Sequence, residues 1–323
     1  MAEGVFGFLG VSAQQSFGTA TTSNEFIPFN SEAISTEVEL LMESGIRARL
    51  GEPPSHEGME SVAGDIVVEP DFVNIGHFIK GVFGQAVNST TGAGSGTQYT
   101  HTFTPLVSAD FDEKCSVPPY TVTVHRDVTS AFRFTDCVFN TLALTLTTGQ
   151  LTEMTVGVIG RSTSIVSMGA SSFVTSAYVS TWNVASISIG GAANTITENI
   201  TITFDNQIEG YGLLDGTKTV AKMKRTGWQT VRISGTMDFE NLSEYNAFKS
   251  QSNRALFITL DDPNVTSLNN LTIDIPNLRY ESFTVGIGGP ERISADFSAR
   301  AIYDPTSNYA IQIVLVNSRA NNY

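Results

Sequence analysis

The sequence predicts a mainly β protein built from two similar modules in tandem, each a β-sandwich or barrel with one short α-helix. Three observations support this fold class. Apolar and polar residues alternate with a period of two in many short runs, such as 141–146 and 199–204, which is typical of strands with one buried face. Apolar residues with helical spacing are convincing at only two places. Four segments of the first half recur in the same order in the second half, which indicates an internal duplication.

The segments of the chain follow from these patterns in order. The apolar start is broken by glycines and cannot build its own core, so we expect residues 1–24 to form an arm that packs on another surface. The first module covers residues 25–162. Residues 163–180 are rich in Ser, Ala and Val, which predicts an extended linker or a lone crossing strand. The second module covers residues 181–310, and residues 311–323 are predicted to form a C-terminal tail.

Each module is predicted to contain one helix, and glycine-containing turns separate its strands. Asn241 followed by Glu244 three residues later is a start signal for the second helix. Gly149 and the Gly-rich segment 286–290 lie between alternating runs, which predicts a hairpin turn at each. Apolar residues with helical spacing mark the two helices: Phe72, Ile75, Phe78 and Ile79 in the first, and Leu242, Tyr245 and Phe248 in the second.

The internal duplication rests on four pairs of matching segments. The first pair matches without a gap at an offset of 162 residues, and the next two pairs match at offsets of 171 and 170. Alternating patterns match by chance one at a time but not easily as an ordered series, so we infer two copies of one fold. The series is 34–46 with 196–208, 62–69 with 233–240, the first helix with the second, and 142–146 with 283–287.

Composition limits the class of protein. Hydrophobic residues make up 41% of the 323 residues, which is enough to form cores and excludes general disorder. Eighteen Lys and Arg residues against 32 Asp and Glu residues give a net charge of −14. This charge repels nucleic-acid phosphates, which excludes duplex binding driven by counterion release as the main function. Only 15% of the residues are charged, which favours a surface that neighbouring subunits partly cover.

The sequence also bears on where the protein is made. It lacks the basic start and apolar block of a signal peptide, and no run of about twenty apolar residues is present. We therefore expect a cytoplasmic origin and no membrane span. In a reducing compartment, Cys115 and Cys137 are expected to be free thiols.

Motifs for catalysis, cofactor binding or metal binding are missing, so we predict no enzyme, no cofactor and no metal site. The four histidines form no HExxH motif, and we interpret His77 and His101 as core or interface residues. The stretch Gly92–Gly96 precedes a predicted strand rather than a helix, so it does not fit a dinucleotide-binding loop. The acidic segments 110–113 and 261–262 are interpreted as solvated turns rather than calcium sites.

Several segments resemble siphophage tail tube proteins (major tail proteins), in particular a branch with a duplicated tube module. The resemblance spans nearly the whole chain and depends on the order of the segments. In the first half they are Gly18–Ala20, Phe26–Glu32, Gly64–Pro70, Phe83–Gly84, Tyr99–Pro105, Cys137–Leu142 and Val156–Gly160. In the second half they are Trp182–Ala185, Val231–Gly235 and Asn246–Phe248.

The resemblance implies a structural protein of the virion tail that is assembled in the host cytoplasm. Its subunits would form a homotrimeric ring with pseudo-sixfold symmetry, or a hexamer, and the rings would stack into a hollow tube. The tape measure protein and viral DNA would occupy the lumen without sequence-specific binding, and tail terminator and baseplate proteins would contact the ends. An acidic lumen would let DNA slide without sticking. The alternating patterns leave open which sheet face lines the lumen.

Two segments are predicted to make contacts between rings or subunits. The first is the long loop region 43–60 with its Pro-Pro turn, and the second is the main concentration of positive charge, which we expect to meet an acidic partner surface. The predicted contact residues are Glu43, Arg47, Arg49, Glu52, Pro53, Pro54, Glu57, Lys218, Lys222, Lys224 and Arg225.

Two other functions remain open at this point. The chain could be another structural β-protein of a virion, such as a capsid decoration or baseplate protein. It could also be a ligand-binding β-sandwich, for instance for carbohydrate, which would need clustered exposed aromatic residues. Trp182 and Trp228 form no obvious cluster in the sequence, which disfavours the ligand-binding function.

Overall fold

The computed structural model of the chain describes residues 3–92, 97–107, 110–167, 169–174, 179–264, 269–320 and 323. The strands of the first half are β1 (Phe8–Ala13), β2 (Glu25–Ile27), β3 (Ser31–Glu32), β4 (Ser35–Met42), β5 (Ser55–Val68), β6 (Val87–Gly92), β7 (Thr97–Phe103), β8 (Tyr120–His125), β9 (Ser130–Thr147), β10 (Glu153–Gly160) and β11 (Ser162–Ser167). Those of the second half are β12 (Ala185–Ile189), β13 (Ala192–Asn194), β14 (Thr197–Asp205), β15 (Ile208–Tyr211), β16 (Lys222–Arg225), β17 (Thr230–Asp238), β18 (Arg254–Asp261), β19 (Asn270–Val285), β20 (Ser294–Ala301) and β21 (Gln312–Asn317). The helices are α1 (Ile75–Phe83) and α2 (Ser243–Ser250), so the prediction of a mainly β protein with two short helices is confirmed.

An antiparallel sheet of eight strands runs through both halves in the order β4–β5–β10–β9–β14–β17–β20–β19. The pairing of β9 with β14, from Thr141 opposite Asp205 to Thr147 opposite Asn199, joins the halves. Because side chains alternate along a strand, one face of this sheet carries buried Leu, Ile, Val and Phe residues and the other carries mostly polar residues.

The long strands β9 and β19 each continue from this sheet into a second layer. The first part of β9 pairs with β8 and β11, and the first part of β19 pairs with β18 and β21. β7 pairs with β21, and β6 pairs with β7. The main core packs α1 against both layers, as the contact of Phe78 with Phe139 illustrates. A second, smaller core under the β15–β16 hairpin contains Cys115, Val117, Val138, Ile208, Val220 and Met223.

The strand pairings of the second half repeat those of the first half in the same order. β4 pairs with β5, β5 with β10 and β10 with β9, just as β14 pairs with β17, β17 with β20 and β20 with β19. α1 follows β5 and α2 follows β17. β8 and β11 flank the first part of β9, as β18 and β21 flank that of β19. The turn around Gly149 connects β9 to β10, and the segment 286–290 lies between β19 and β20, as predicted.

The pairings correct the offset of the first matched segment. Gly64 and Gly235 hold equivalent positions, and a Cβ on them would lie 2.3 Å from the backbone oxygens of Ala33 and Asn199, respectively. The equivalent of Ala33 is therefore Asn199, at an offset of 166 residues rather than 162. The sequence match was ambiguous because an alternating pattern fits itself at every even shift.

Both helices lie where the sequence predicts them, with a small shift at the start of α1. It begins at Ile75 rather than at Phe72, because Asp71 Oδ1 accepts hydrogen bonds from the backbone N–H groups of Val73 (2.8 Å) and Asn74 (2.7 Å) and holds a turn there. It ends at Phe83, and Gly84 follows in the left-handed region with φ of 86°. α2 begins at Ser243, and Asn241 Oδ1 accepts a hydrogen bond from the Ser243 N–H (2.8 Å).

The predicted arm, linker and tail segments contribute strands to the sheets. β1 lies in residues 1–24 and pairs with β2 and β8. β11 falls mostly in residues 163–180, and β21 lies in residues 311–323 between β19 and β7. The hydroxyl of Tyr323 donates a hydrogen bond to the Val73 carbonyl (2.6 Å). Residues 93–96 of the glycine-rich stretch lie outside the described residues.

The two equivalent glycines generate a stability prediction. Gly64→Ala and Gly235→Ala place a methyl group on a backbone oxygen that cannot move aside, so each should lower the free energy of unfolding by about 1–3 kcal/mol, as overpacked core substitutions do. Urea denaturation of the unassembled chain measures this loss. Gly51→Ala is the matched control, because open space surrounds Gly51 and its substitution should change stability by less than about 0.5 kcal/mol. Equal stability of all three variants would contradict this packing.

His77 of α1 is a buried titratable group. The Tyr323 ring packs edge-on against it with centroids 5.0 Å apart, and its Nε2 lies 3.9 Å from Glu25 Oε2. Burial, reinforced by the charges of Arg319 and Lys80 and opposed by that of Glu25, lowers the pKa of His77 from 6.5 to about 3. His77 is therefore neutral in the folded protein near neutral pH.

This pKa shift predicts a loss of stability in acid. Below pH 6.5 the unfolded chain binds a proton at His77 that the folded chain binds only near pH 3, so the free energy of unfolding falls across that window. Between pH 7 and pH 4.5, wild type should lose about 2–3 kcal/mol more than His77→Gln in urea denaturation. The same loss in wild type and His77→Gln would contradict the assignment.

Candidate assembly surfaces

His101 and both cysteines are buried in the interior of the protein. His101 is buried and its Nε2 lies 3.1 Å from Asn317 Oδ1, which confirms its interpretation as a core residue. Cys115 and Cys137 are buried free thiols, as predicted, and burial raises the pKa of Cys115 to about 12 and raises that of Cys137.

In the part of the chain that the structure describes, no group of three or more His, Cys, Asp and Glu residues could hold a metal ion. Neither described helix has the length and apolar character needed to cross a bilayer.

The first set of predicted contact residues lies at the end of the β4–β5 hairpin. Glu43 forms an ion pair with Arg47 at the base of the loop, and its Oε1 lies 3.0 Å from His56 Nε2. Ile46 and Leu50 are fully exposed between these charged residues. The other predicted residues of the loop are Arg49, Glu52, Pro53 and Pro54. The loop therefore presents both apolar and charged groups to a partner.

The second predicted set lies on the neighbouring β15–β16 hairpin. Lys218 Nζ lies 2.6 Å from Glu57 Oε2, so an ion pair brings the two sets into one surface. Lys224 and Arg225 instead contact Asp110, at 3.0 and 3.7 Å. The basic residues of β16 are Lys222, Lys224 and Arg225. β4 and β14 run in the same direction in the antiparallel sheet, so both hairpins leave the sheet at the same end.

The eight-stranded sheet ends in two open edges. β4 pairs with β5 along one edge, and within the described residues no strand pairs with its other edge. Every residue of β4 is exposed, including Val38 (51%) and Leu40 (65%). β19 from Arg279 to Val285 pairs with β20, and its other edge is likewise free of strands in the described ranges. Open edges are hazards that proteins normally cover or pair.

The two helices differ in how much of their surface is covered. Eight of the nine residues of α1 are buried, whereas Ala247 is the single buried residue of α2. Leu242 and Tyr245 are exposed, and Tyr245 contacts Phe283 beside the open edge of β19. The two helices thus hold equivalent positions in the two halves, but α1 is buried and α2 is mostly exposed.

These edge and helix residues were missed by the sequence analysis. The apolar alternation of β4 was visible, but it fits a strand facing its own core as well as a strand facing a partner. What separates the two cases is burial, which depends on the neighbours of β4 in the sheet. The spacing of the apolar residues of the second half, such as Leu242, likewise predicts a helix but not that they are exposed.

The polar face of the eight-stranded sheet carries an excess of carboxylates. Thr145 and Thr201 contact each other across the joint between the halves (Oγ1 to Oγ1, 3.1 Å). Glu281 forms ion pairs with Arg232 (3.0 Å) and Arg300 (2.6 Å). The charged residues on this face are Glu37, Glu39, Asp65, Glu153, Asp205, Asp238, Glu281 and Asp296 against Arg232, Arg279 and Arg300.

The two tryptophans line separate cavities. Trp228 lies with Tyr303 at a cavity of about 650 Å³, at the end of the sheet that bears the hairpins. Trp182 lines another of about 550 Å³ near Arg292, by the opposite end. The separation fits the expectation that these residues form no single aromatic platform.

Comparison with known proteins identifies the family to which the chain belongs. A family model described as phage tail tube protein matches residues 7–301. No curated protein matches the chain. The match covers nearly the whole chain. The chain therefore belongs to the phage tail tube protein family.

Proposed function

We propose that copies of this chain close into rings and that the rings stack into the hollow tail tube through which the viral genome passes. The eight-stranded sheet with one packed face, one open polar face and two open edges is the observation that supports this function best. Closing the sheet on itself through further copies satisfies the backbone groups of both edges. The role is structural and assigns no catalysis to any residue.

The polar face of the eight-stranded sheet is the wall of the proposed lumen. The helices and the second layer cover the opposite face, so a ring closed through the edges places the polar face inside and the second layer outside. The face carries eight carboxylates and three arginines, and two of the arginines pair with Glu281. A surplus of negative charge on the wall repels DNA phosphates and favours sliding over binding.

Membership of the family and the repeated strand pairings support a particular ring composition and set of partners. A chain with two equivalent halves, produced by an internal duplication, gives a homotrimeric ring with pseudo-sixfold symmetry, with a hexamer as the alternative. The tape measure protein and viral DNA occupy the lumen, and tail terminator and baseplate proteins bind the ends. The chain is assembled in the host cytoplasm and resides in the virion tail.

The β4–β5 and β15–β16 hairpins are the proposed contact between stacked rings. They leave the sheet at one end and share the Lys218–Glu57 ion pair. The β4–β5 loop exposes Ile46 and Leu50, which burial against the next ring would remove from water.

Electron microscopy of the purified chain tests both levels of assembly. Wild type should form long hollow rods at high concentration, because stacking covers the hairpin loop. A variant with residues 43–54 replaced by Asn-Gly keeps a tight hairpin turn between Met42 and Ser55 and should form rings that do not stack. Isolated rings from wild type would favour a capsid decoration or baseplate role, and a monomer at every concentration and ionic strength would contradict the proposal.

Thiol labelling of preformed tubes tests the assignment of the lumen. Ser234→Cys lies on the polar face and Ala255→Cys lies exposed on the second layer, while the native thiols are buried and unreactive. A small maleimide should label both introduced thiols. A maleimide attached to a polymer of about 20 kDa, which is roughly as large as a small protein domain, should not enter the lumen and should label only Ala255→Cys. Both sites should react with the large reagent in the unassembled chain. Equal labelling of Ser234→Cys by the large reagent in tubes would contradict the assignment.

A further inference from the structure

We propose that β4 of one copy pairs with the open edge of β19 in the next copy, in the register that β14 and β9 use within the chain. This inference rests on the proposed function and specifies its ring contact. It assigns the occupant of each open edge and the residues that meet there.

The joint between β9 and β14 serves as the template. β10 and β11 occupy one edge of β9, and β8 and β14 occupy successive parts of the other. β20 and β21 occupy one edge of β19, and β18 occupies the first part of the other. The place that β14 holds on β9 has no occupant on β19 among the described residues.

The equivalent of β14 in the first half is β4, which has the complementary open edge. Val38 is equivalent to Phe204 and Leu40 to Asn206 at the offset of 166 residues. Phe204 and Asn206 are almost fully buried against the first half, and the ring centroids of Phe204 and Phe83 lie 4.8 Å apart. Val38 and Leu40 are exposed because the strand that would cover them belongs to another copy.

The template fixes the register of the proposed pairing. Leu142 opposes Phe204 in the joint, and following the pairings through β10 and β20 makes Val285 the equivalent of Leu142. Val38 of one copy therefore faces Val285 of the next, and its neighbours follow by alternation. The proposed pairs are Thr36 with Ile287, Val38 with Val285, and Leu40 with Phe283, all on the face that carries the helices.

The uneven cover of the helices supports the same contact independently. Leu271 and Ile311 of the second half line a small cavity with Ile75 and Phe83 of α1, so they form part of its cover. Val128, just before β9, and Ile165 of β11 lie in the corresponding part of the first half, and these are 46% and 71% exposed. In the proposed ring they cover α2 of the neighbouring copy as Leu271 and Ile311 cover α1.

Cysteine cross-linking of assembled tubes tests the register. The double variant Val38→Cys/Val285→Cys brings two thiols together only between copies, so mild oxidation should link most chains into covalent multimers on a non-reducing gel. Val38→Cys/Ile287→Cys, shifted by one same-face position, is the matched control and should link at least tenfold less. The native thiols are buried and should not contribute.

A surface substitution keeps the inference testable if the cysteine variants fail to assemble. Ile165→Lys should leave the unfolding temperature of the unassembled chain unchanged and raise the concentration needed for ring formation at least tenfold. Phe257→Lys, at an exposed position on β18 away from both open edges, is the control and should assemble like wild type. If wild type forms tubes, two results would overturn this contact while leaving the proposed function intact. One is stronger cross-linking in Val38→Cys/Ile287→Cys than in Val38→Cys/Val285→Cys, and the other is normal assembly of Ile165→Lys. Failure of wild type to assemble would overturn both.

Discussion

The need to pair backbone groups at the edges of a β-sheet controls this molecule. Within the chain, β14 satisfies the edge of β9 and converts two halves into one continuous sheet. At the ends of that sheet, β4 and the last part of β19 retain unpaired edges. In a single copy, the unpaired backbone groups of both edges and the side chains of Val38 and Leu40 are exposed to water. Pairing with further copies of the chain would cover them.

The two faces of the eight-stranded sheet have different roles. The packed face holds α1, α2 and the second layer and supplies the hydrophobic stabilisation of each copy. The polar face is rich in threonine, serine and carboxylates, and within the described residues the small core under β15–β16 is the cluster of buried apolar residues on this side. One sheet thus provides a rigid support on one side and, in the proposed tube, a wetted and negatively charged wall on the other.

Much of the fold could be predicted from the sequence because periodicity is a local property. The alternation in β9 and β14, the turn at Gly149 and the end of α1 at Gly84 all depend on neighbouring residues alone. The register of β4 could not be predicted, since an alternating pattern fits at every even shift, and neither could the pairing of β21 with β7 across the chain. The charged loop residues were identifiable as exposed, but the assembly surface depends equally on Val38 and Ile165, whose exposure only the three-dimensional neighbours decide.

Hydrogen–deuterium exchange on both open edges compares the unassembled chain with the tube and tests the pairing most directly. The account predicts that amides of β4 and of the end of β19 exchange rapidly in single copies and become strongly protected in tubes, while the β9–β14 joint is protected in both. Tubes in which the β4 amides continue to exchange as rapidly as in single copies would contradict the claim that sheet edges hold the rings together.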